Sequence, residues 1–202
     1  MKKTMLLVLL LFCGSMYCQK KKSTSKVAAA SPVIAKSGNI SAELVKSNFY
    51  LFTKNGAKKD TLLLKKFNAA GTPTDCKITP FTAKGIAMYL ITWTEKSVSE
   101  TKLKKEETTI TESQIWNPAT KTLLIGNTQT AVKIKETVFL DKLKNASETQ
   151  ERMRNSGFAF EFLTDGDFAL KDKSSSTKYT YNAAISKYEA VKGNSAPAKK
   201  KK

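Results

Sequence analysis

The stretch Ile86-Ala-Met-Tyr-Leu-Ile-Thr-Trp-Thr94 decides the expected architecture of this chain. Successive side chains of an extended strand point to opposite faces. Both faces would be apolar here, with Ala87, Tyr89, Ile91 and Trp93 on one and Ile86, Met88 and Leu90 on the other. A strand with two apolar faces must be covered on both sides. The pattern therefore predicts a central strand of a β-sheet.

Short runs of β-branched and aromatic residues surround this stretch, separated by Gly, Asn or Asp, which is typical of strands joined by turns. The runs at 48–53 and 61–67 flank Asn55-Gly56. An Asn-Gly pair between apolar runs indicates a hairpin, because both residues accept positive φ. Further strands are expected at 104–116, 122–125 and 131–135. The first of these three is polar, as an edge or solvent-facing strand would be.

A second series of strands follows Gly157. The run Phe158-Ala-Phe-Glu-Phe162 would place three aromatic rings on one face, and Asp165-Gly166 supplies the next hairpin turn. Later apolar runs predict the rest of an antiparallel meander, at 168–170, 178–181 and 187–191.

One segment has a different period. Between residues 137 and 155, apolar side chains recur at helical spacing, at Phe139, Leu143, Ala146 and Met153, with Leu140 beside them. We therefore predict an amphipathic helix at about 137–155, ended by Gly157, and a shorter helix at 40–46. The expected fold class is α+β, with mostly antiparallel β-meanders packed against one amphipathic helix. The alternative is an all-β, barrel-like fold.

A four-residue theme recurs where predicted strands end: an aromatic residue, then Asn, then two small residues. It occurs as Phe67-Asn-Ala-Ala70, Trp116-Asn-Pro-Ala119 and Tyr181-Asn-Ala-Ala184. The aromatic ring would anchor the strand, and the Asn side chain would accept the backbone bond that starts an Asx-turn. Two related helix-then-meander units, roughly 40–130 and 137–193, are one explanation of this theme, and coincidental turn chemistry is the other. The spacing is irregular, which excludes a repeat of fixed period.

The first 18 residues form a targeting segment. Two lysines precede the eight-residue apolar run Met5-Leu-Leu-Val-Leu-Leu-Leu-Phe12, which is much shorter than the roughly 20 residues that span a bilayer. A secretory signal cleaved between Cys18 and Gln19 is therefore predicted, and the protein is expected to be secreted or periplasmic, with no transmembrane span in the mature form. Lipidation of Cys13 or Cys18 is the alternative.

Positive charge is concentrated outside the expected domain. The chain has 35 Lys+Arg against 17 Asp+Glu, a net charge of +18. Residues 38–193, read as a single β-rich domain, contain all the acids. The basic segments 19–37 and 194–202 contain none and are expected to be disordered. Their lysine clusters would contact an anionic surface of the envelope, and simple solubility is the alternative role. The lysines proposed for this contact are Lys20, Lys21, Lys22, Lys199, Lys200, Lys201 and Lys202.

The chain contains no histidine, which excludes imidazole-based catalysis and histidine metal sites. Only two arginines are present, Arg152 and Arg154, so specific nucleic-acid readout is not expected. After signal cleavage Cys76 would remain without a disulfide partner, and we interpret it as a buried, inert thiol. No motif for a cofactor or a metal is found.

Two kinds of catalytic chemistry need no histidine. The Ser-x-x-Lys spacing occurs about as often as chance predicts, at Ser23/Lys26, Ser99/Lys102 and Ser175/Lys178. Among the carboxylates, Asp165 and Asp167 flank a turn glycine, and Glu106 and Glu107 would point to opposite faces of a strand. Turn chemistry and solvated charge account for both carboxylate pairs, so no catalytic residue is assigned.

These observations predict an exported, non-catalytic binding or interaction module. Its partner would be an unknown protein or an anionic envelope component, with peripheral contact to a membrane. A β-rich carrier of an apolar small molecule is the alternative, because inward Phe, Tyr and Trp side chains can enclose such a ligand. A histidine-independent hydrolase ranks third.

Overall fold

The computed structural model describes residues 32–55, 58–67 and 72–191. Regular structure in these ranges consists of thirteen β-strands and one 3-10 turn, Thr164–Gly166. The strands form three sheets, and in each sheet the strands pair antiparallel in chain order. Such antiparallel meanders form when strands with alternating apolar patterns are joined by short turns and each strand pairs with the next.

We name the sheets by their order along the chain. The amino-terminal sheet contains β1 (Val33–Ser37), β2 (Ile40–Val45), β3 (Asn48–Asn55) and β4 (Lys58–Lys66). The central sheet contains β5 (Thr74–Ala83), β6 (Ile86–Glu100), β7 (Lys104–Asn117), β8 (Thr122–Phe139) and β9 (Ser147–Ser156). The carboxy-terminal sheet contains β10 (Ala159–Phe162), β11 (Phe168–Lys171), β12 (Ser176–Asn182) and β13 (Lys187–Ala190).

Strand β6 has an apolar core on each side, as its sequence predicts. Ile91 and Trp93 pack with the amino-terminal sheet, where the Trp93 and Phe49 rings meet edge to face at 5.3 Å. Met88 and Leu90 pack with the carboxy-terminal sheet around Phe168 and Tyr181. Burying each such side chain contributes about 1.5–3 kcal/mol, so these two cores hold the three layers together.

Aromatic residues of the carboxy-terminal sheet pack together in the second core. Phe168 stacks on Tyr179 at 4.9 Å and on Phe160 at 5.1 Å, and Tyr188 meets the same ring edge to face. Tyr188 also donates its hydroxyl to the carbonyl of Gly166 at 2.8 Å. Burial, and then the nearby charge of Asp167, raise the pKa of Tyr188, which keeps this hydroxyl protonated.

The predicted helix at 137–155 is wrong, and so is the α+β class. Residues 137–139 complete β8, residues 147–156 form β9, and the two strands pair from Thr130↔Ser156 to Phe139↔Ser147. Cross-strand ion pairs, including Arg152–Glu136 at 3.1 Å, accompany the pairing. A helical stripe is stable only when it is buried, whereas Leu143 and Met153 are 80% and 68% exposed. Long-range pairing therefore overrides the local period.

Three further expectations are corrected. The segment 40–46 is not a helix, because Ile40–Val45 is strand β2, paired on both sides. The all-β part of the alternative is confirmed, but its barrel-like form is wrong, because none of the three sheets closes on itself among the described residues. Finally, β7 is neither an edge nor a solvent-facing strand, since it lies in the middle of the central sheet with Glu112, Ser113 and Gln114 buried.

The Asx-turns predicted at two strand ends are confirmed. Asn117 accepts hydrogen bonds from the backbone N–H groups of Ala119 at 3.0 Å and Thr120 at 3.3 Å. Asn182 accepts one from Ala184 at 3.0 Å. Both turns end on a residue with positive φ, Lys121 and Ser186, before the next strand begins. The third theme residue, Asn68, lies outside the described ranges. The helices of the two-unit hypothesis are absent, so the hypothesis now depends on these turns alone.

Replacing Asn117 with alanine is expected to lower the free energy of unfolding by about 1–2 kcal/mol, because a buried side chain loses two backbone hydrogen bonds. Urea denaturation measures the change. The control is Asn117→Asp, which keeps the acceptor oxygen and should lose less. Equal losses in the two variants would mean that the Asx bonds contribute nothing.

Candidate functional site

The lysines proposed for anionic contact from the sequence lie outside the described residues. They are Lys20, Lys21, Lys22, Lys199, Lys200, Lys201 and Lys202. Their role remains a prediction, and the site must be sought on the three sheets.

The Ser-x-x-Lys pairs do not form a catalytic couple in the described part of the chain. Lys178, three residues after Ser175, forms an ion pair with Asp167 at 2.8 Å. Ser99 lies in β6 and Lys102 in the following turn, and no hydrogen bond joins their side chains within the described ranges. Ser23 and Lys26 lie outside those ranges. This ion pair directs the Lys178 side chain toward Asp167.

Three of the four carboxylates singled out from the sequence form ion pairs, namely Glu106, Glu107 and Asp167. Glu106 and Glu107 point to opposite faces of β7 as predicted, and each bonds a lysine of its own strand, Lys104 and Lys105, at 2.7 Å and 2.9 Å. These hydrogen bonds lower the pKa of both glutamates. Asp165 occupies the predicted hairpin turn with φ +60°. None of these groups converges with another carboxylate.

Cys76 agrees with the interpretation of an inert thiol. It packs half-buried against the core between the amino-terminal and central sheets. Burial raises its pKa to about 12, so the nucleophilic thiolate is not populated near neutral pH.

Two carboxylates that sequence reasoning missed do converge, around Lys65. The Lys65 ammonium lies 2.7 Å from Glu95 and 2.8 Å from Glu112, which project from the neighbouring strands β6 and β7. Trp93 donates its indole N–H to Glu95 at 3.0 Å, and Thr128 donates its hydroxyl to Glu112 at 2.9 Å. The two carboxylates are 14% and 11% exposed.

A β-bulge turns Lys65 toward these carboxylates. Strict alternation along Leu62-Leu-Leu-Lys-Lys66 would place Lys65 on the outer face with Leu63. The register between β3 and β4 shifts so that Phe49 pairs with Lys65 and Tyr50 with Leu63, which leaves Leu64 as the extra residue. The bulge changes the phase of the strand, so Lys65 faces inward and Lys66 is exposed. No sequence signal indicated this shift.

The cluster stabilises the protonated form of Lys65. Burial disfavours the ammonium of Lys65, but hydrogen bonds and charges from Glu112 and Glu95 outweigh that effect and raise its pKa. One protonated ammonium therefore bridges the two carboxylates. Neither carboxylate lines any of the four surface hollows found on the sheets. The arrangement fastens the amino-terminal sheet to the central sheet.

The largest of these hollows offers a surface for a ligand. It is an open groove of about 580 Å³ where the carboxy-terminal sheet ends against the central sheet. Gln129, Asn155 and Phe158 line one side, and the turn 171–174 lines the other. We call it the Phe158 groove. Phe158 is 43% exposed, so part of its ring is accessible from the groove.

Gly157 and Asn127 shape the corner at which the chain enters this groove. Gly157 has φ +77°, and a Cβ atom built on it would lie 2.2 Å from the carbonyl oxygen of Thr128. The side-chain amide of the buried Asn127 donates to the carbonyl of Phe158 at 3.0 Å. The chain therefore turns from β9 to β10 in close contact with β8. Gly157 was expected to end a helix and instead forms this corner.

The groove has polar groups available. Gln129 and Asn155 lie on one face of the central sheet, and their side-chain amides make no hydrogen bond within the described ranges. On the opposite side, Asp172 accepts backbone N–H groups of Ser174 at 2.7 Å and Ser175 at 2.6 Å, and these bonds lower its pKa. Lys173, next to Asp172, forms no ion pair with any residue of the described ranges.

Two further findings concern the whole described region. No group of three or more Cys, Asp and Glu residues within it could hold a metal ion. A search of the same residues for a helix long and apolar enough to cross a bilayer found none. Comparison of the chain with protein-family models, with curated proteins and with solved structures gives no significant match.

Proposed function

We propose that this protein is an exported, non-catalytic binding module that recognises an acidic saccharide of the cell envelope in the Phe158 groove. The observation that carries the proposal is an exposed aromatic ring beside side-chain amides without partners in the described ranges. The C–H face of a sugar ring packs on an aromatic ring, and sugar hydroxyls exchange hydrogen bonds with amides. An apolar surface with a few convergent polar groups is the usual form of a small-ligand site.

The preference for an acidic sugar follows from charge. Lys173 lies on the rim of the groove. The carboxylate of Asp172, which also lines the groove, is already engaged by the backbone of its own turn. Lysines also exceed acids over residues 38–193 and in both expected tails. An excess of positive charge attracts an anionic polymer and raises its association rate.

The Lys65 cluster supports recognition over catalysis. A glycosidase needs one carboxylic acid and one carboxylate facing each other across a cleft. Glu95 and Glu112 instead share one ammonium, which a reacting sugar would have to displace.

Replacing Phe158 with alanine is expected to weaken binding of an oligosaccharide of galacturonic acid by about tenfold, since an aromatic contact is worth roughly 1.5 kcal/mol. Isothermal titration calorimetry measures the affinity. Lys173→Gln should reduce the preference for this ligand over a neutral galactose oligosaccharide of equal length, since it removes a cation from the rim.

Ile185→Ala is the matched control, because Ile185 is an exposed apolar residue, 49% exposed, that does not line the Phe158 groove. Its affinity should equal that of the unaltered protein. Equal binding by Phe158→Ala, or no binding of either oligosaccharide by the unaltered protein, would contradict the saccharide proposal.

A further inference from the structure

The distal end of the central sheet presents three exposed leucines. Leu103 lies in the turn between β6 and β7, and Leu140 and Leu143 lie in the loop between β8 and β9. Their exposed fractions are 46%, 61% and 80%. We call the two connections, residues 101–103 and 140–146, the distal tip.

Strand pairing brings the two connections to the same end of the sheet. Lys104, which follows the first turn, pairs with Glu136 of β8. The N–H of Thr137 donates to the carbonyl of Leu103 at 2.7 Å, and β8 then continues to Phe139 before the second loop begins. The second loop closes on itself, because the N–H of Leu140 donates to the carbonyl of Ala146 at 3.0 Å.

Folding does not explain these leucines. Neither core includes any residue of the distal tip. Exposed connections of this length usually carry Gly, Asn, Asp or Ser, which suit turns and favour contact with water. Several large apolar side chains grouped at one exposed end indicate a surface that is covered in use.

Lysines surround the leucines. Lys102, Lys142 and Lys144 lie in the same two connections, and the Lys144 ammonium lies 5.5 Å from the centre of the Phe139 ring. Asp141 is the acid of these connections, and its carboxylate accepts the backbone N–H of Asn145 at 2.9 Å. Leucines flanked by cations match a bilayer whose apolar interior lies beneath anionic headgroups.

We infer that the distal tip docks on an anionic lipid bilayer, with Leu140 and Leu143 entering the apolar region and the three lysines contacting the headgroups. An acidic protein would match the lysines but would not require leucines at the ends of loops. This inference involves no residue of the Phe158 groove, so the two proposals can fail separately.

The test is co-sedimentation of the exported protein, with both lysine-rich ends present, on vesicles containing phosphatidylglycerol and on vesicles of phosphatidylcholine alone. The unaltered protein should bind the anionic vesicles preferentially. The double variant Leu140→Ser, Leu143→Ser should lose about tenfold or more in affinity, because two buried aliphatic side chains are lost from the bound state. Lys142→Gln with Lys144→Gln should reduce the difference between the two vesicle types.

The matched control replaces Leu63 and Ile185, which are 41% and 49% exposed away from the distal tip, with serine. It should bind vesicles normally. A thermal scan of each variant tests whether it is folded, since substitutions at exposed positions should leave the Tm nearly unchanged.

A second measurement reports insertion directly. In Leu143→Cys carrying an environment-sensitive fluorophore, emission should shift to the blue on anionic vesicles and remain unchanged on neutral ones. The half-buried Cys76 should not compete for the label. Normal vesicle binding by the leucine variant would assign binding to the lysine-rich ends and overturn the inference. The inference would also be overturned if the unaltered protein formed a dimer without binding vesicles and the leucine variant lost that dimer. The distal tip would then bind a second copy of the chain.

Discussion

Replacing Gly157 with alanine is expected to lower the free energy of unfolding by about 3 kcal/mol or more, which is a large part of the stability of an ordinary domain. The added methyl group would lie 2.2 Å from the carbonyl oxygen of Thr128, well inside contact distance. A backbone atom cannot rotate away as a side chain can. The corner between β9 and β10 would have to move, and with it the Asn127–Phe158 hydrogen bond.

Gly85→Ala separates this overlap from simple backbone strain. Gly85 also has positive φ, +82°, but a methyl group there would meet no atom within 4 Å. Gly85→Ala should lower the free energy of unfolding only by the penalty for a left-handed conformation, about 1–2 kcal/mol. Urea denaturation of the two variants measures the difference in the free energy of unfolding. If Gly157→Ala were no less stable than Gly85→Ala, the close approach to β8 would be wrong.

Replacing Lys65 with methionine is expected to lower the free energy of unfolding by about 2–3 kcal/mol. The substitution keeps the length of the side chain but leaves Glu95 and Glu112 close together without a cation. Breaking a fully buried ion pair costs about 3–5 kcal/mol. The smaller figure applies because the Lys65 side chain is 30% exposed and solvent screens part of the charge.

Two comparisons isolate the cluster. Lys121→Met breaks an ion pair with Asp60 of the same length, 2.8 Å, but with side chains 51% and 33% exposed, and should cost no more than about 1 kcal/mol. Adding Glu112→Gln to Lys65→Met should recover part of the loss, because one of the two facing charges is removed. A loss in Lys65→Met no larger than in Lys121→Met would show that the cluster contributes little to stability.

The same variant has an expected pH dependence. The pKa of Lys65 is raised in the folded protein above its ordinary value of 10.5. A group with a raised pKa contributes stability that is complete below its unfolded pKa and is lost as the pH rises through its folded pKa. The stability difference between the unaltered protein and Lys65→Met should therefore be constant from pH 7 to about 9 and shrink above about pH 10.5.

Local patterns were sufficient for much of the fold. Alternation in 86–94 predicted a strand with two apolar faces, and both of its faces are covered by sheets. Asn followed by small residues predicted the turns at Asn117 and Asn182. Each of these features depends on side chains a few residues apart, so the information lies in a short stretch of chain.

The same kind of pattern failed at 137–155. Apolar residues at helical spacing indicate a helix only if a core buries them, and here Leu140, Leu143 and Met153 are exposed. What decides the structure is the pairing of β9 with β8, whose extent cannot be read from the spacing of four side chains. Two of the three exposed leucines of the distal tip, Leu140 and Leu143, thus belong to the segment that was incorrectly predicted as a helix.

The amino-acid sequence by itself determined many of the strands, the turn chemistry, the two-sided core of β6 and the absence of histidine chemistry. The tertiary structure alone decided that Lys65 faces Glu95 and Glu112, that Gly157 forms the corner of the Phe158 groove, and that the leucines gather at one end of a sheet. The physical reason is the separation along the chain of the residues that interact. Alternation and turn preferences act between neighbours in the chain, whereas the bulge at Leu64, the contact with Thr128 and the convergence of two loops arise only when distant strands pair.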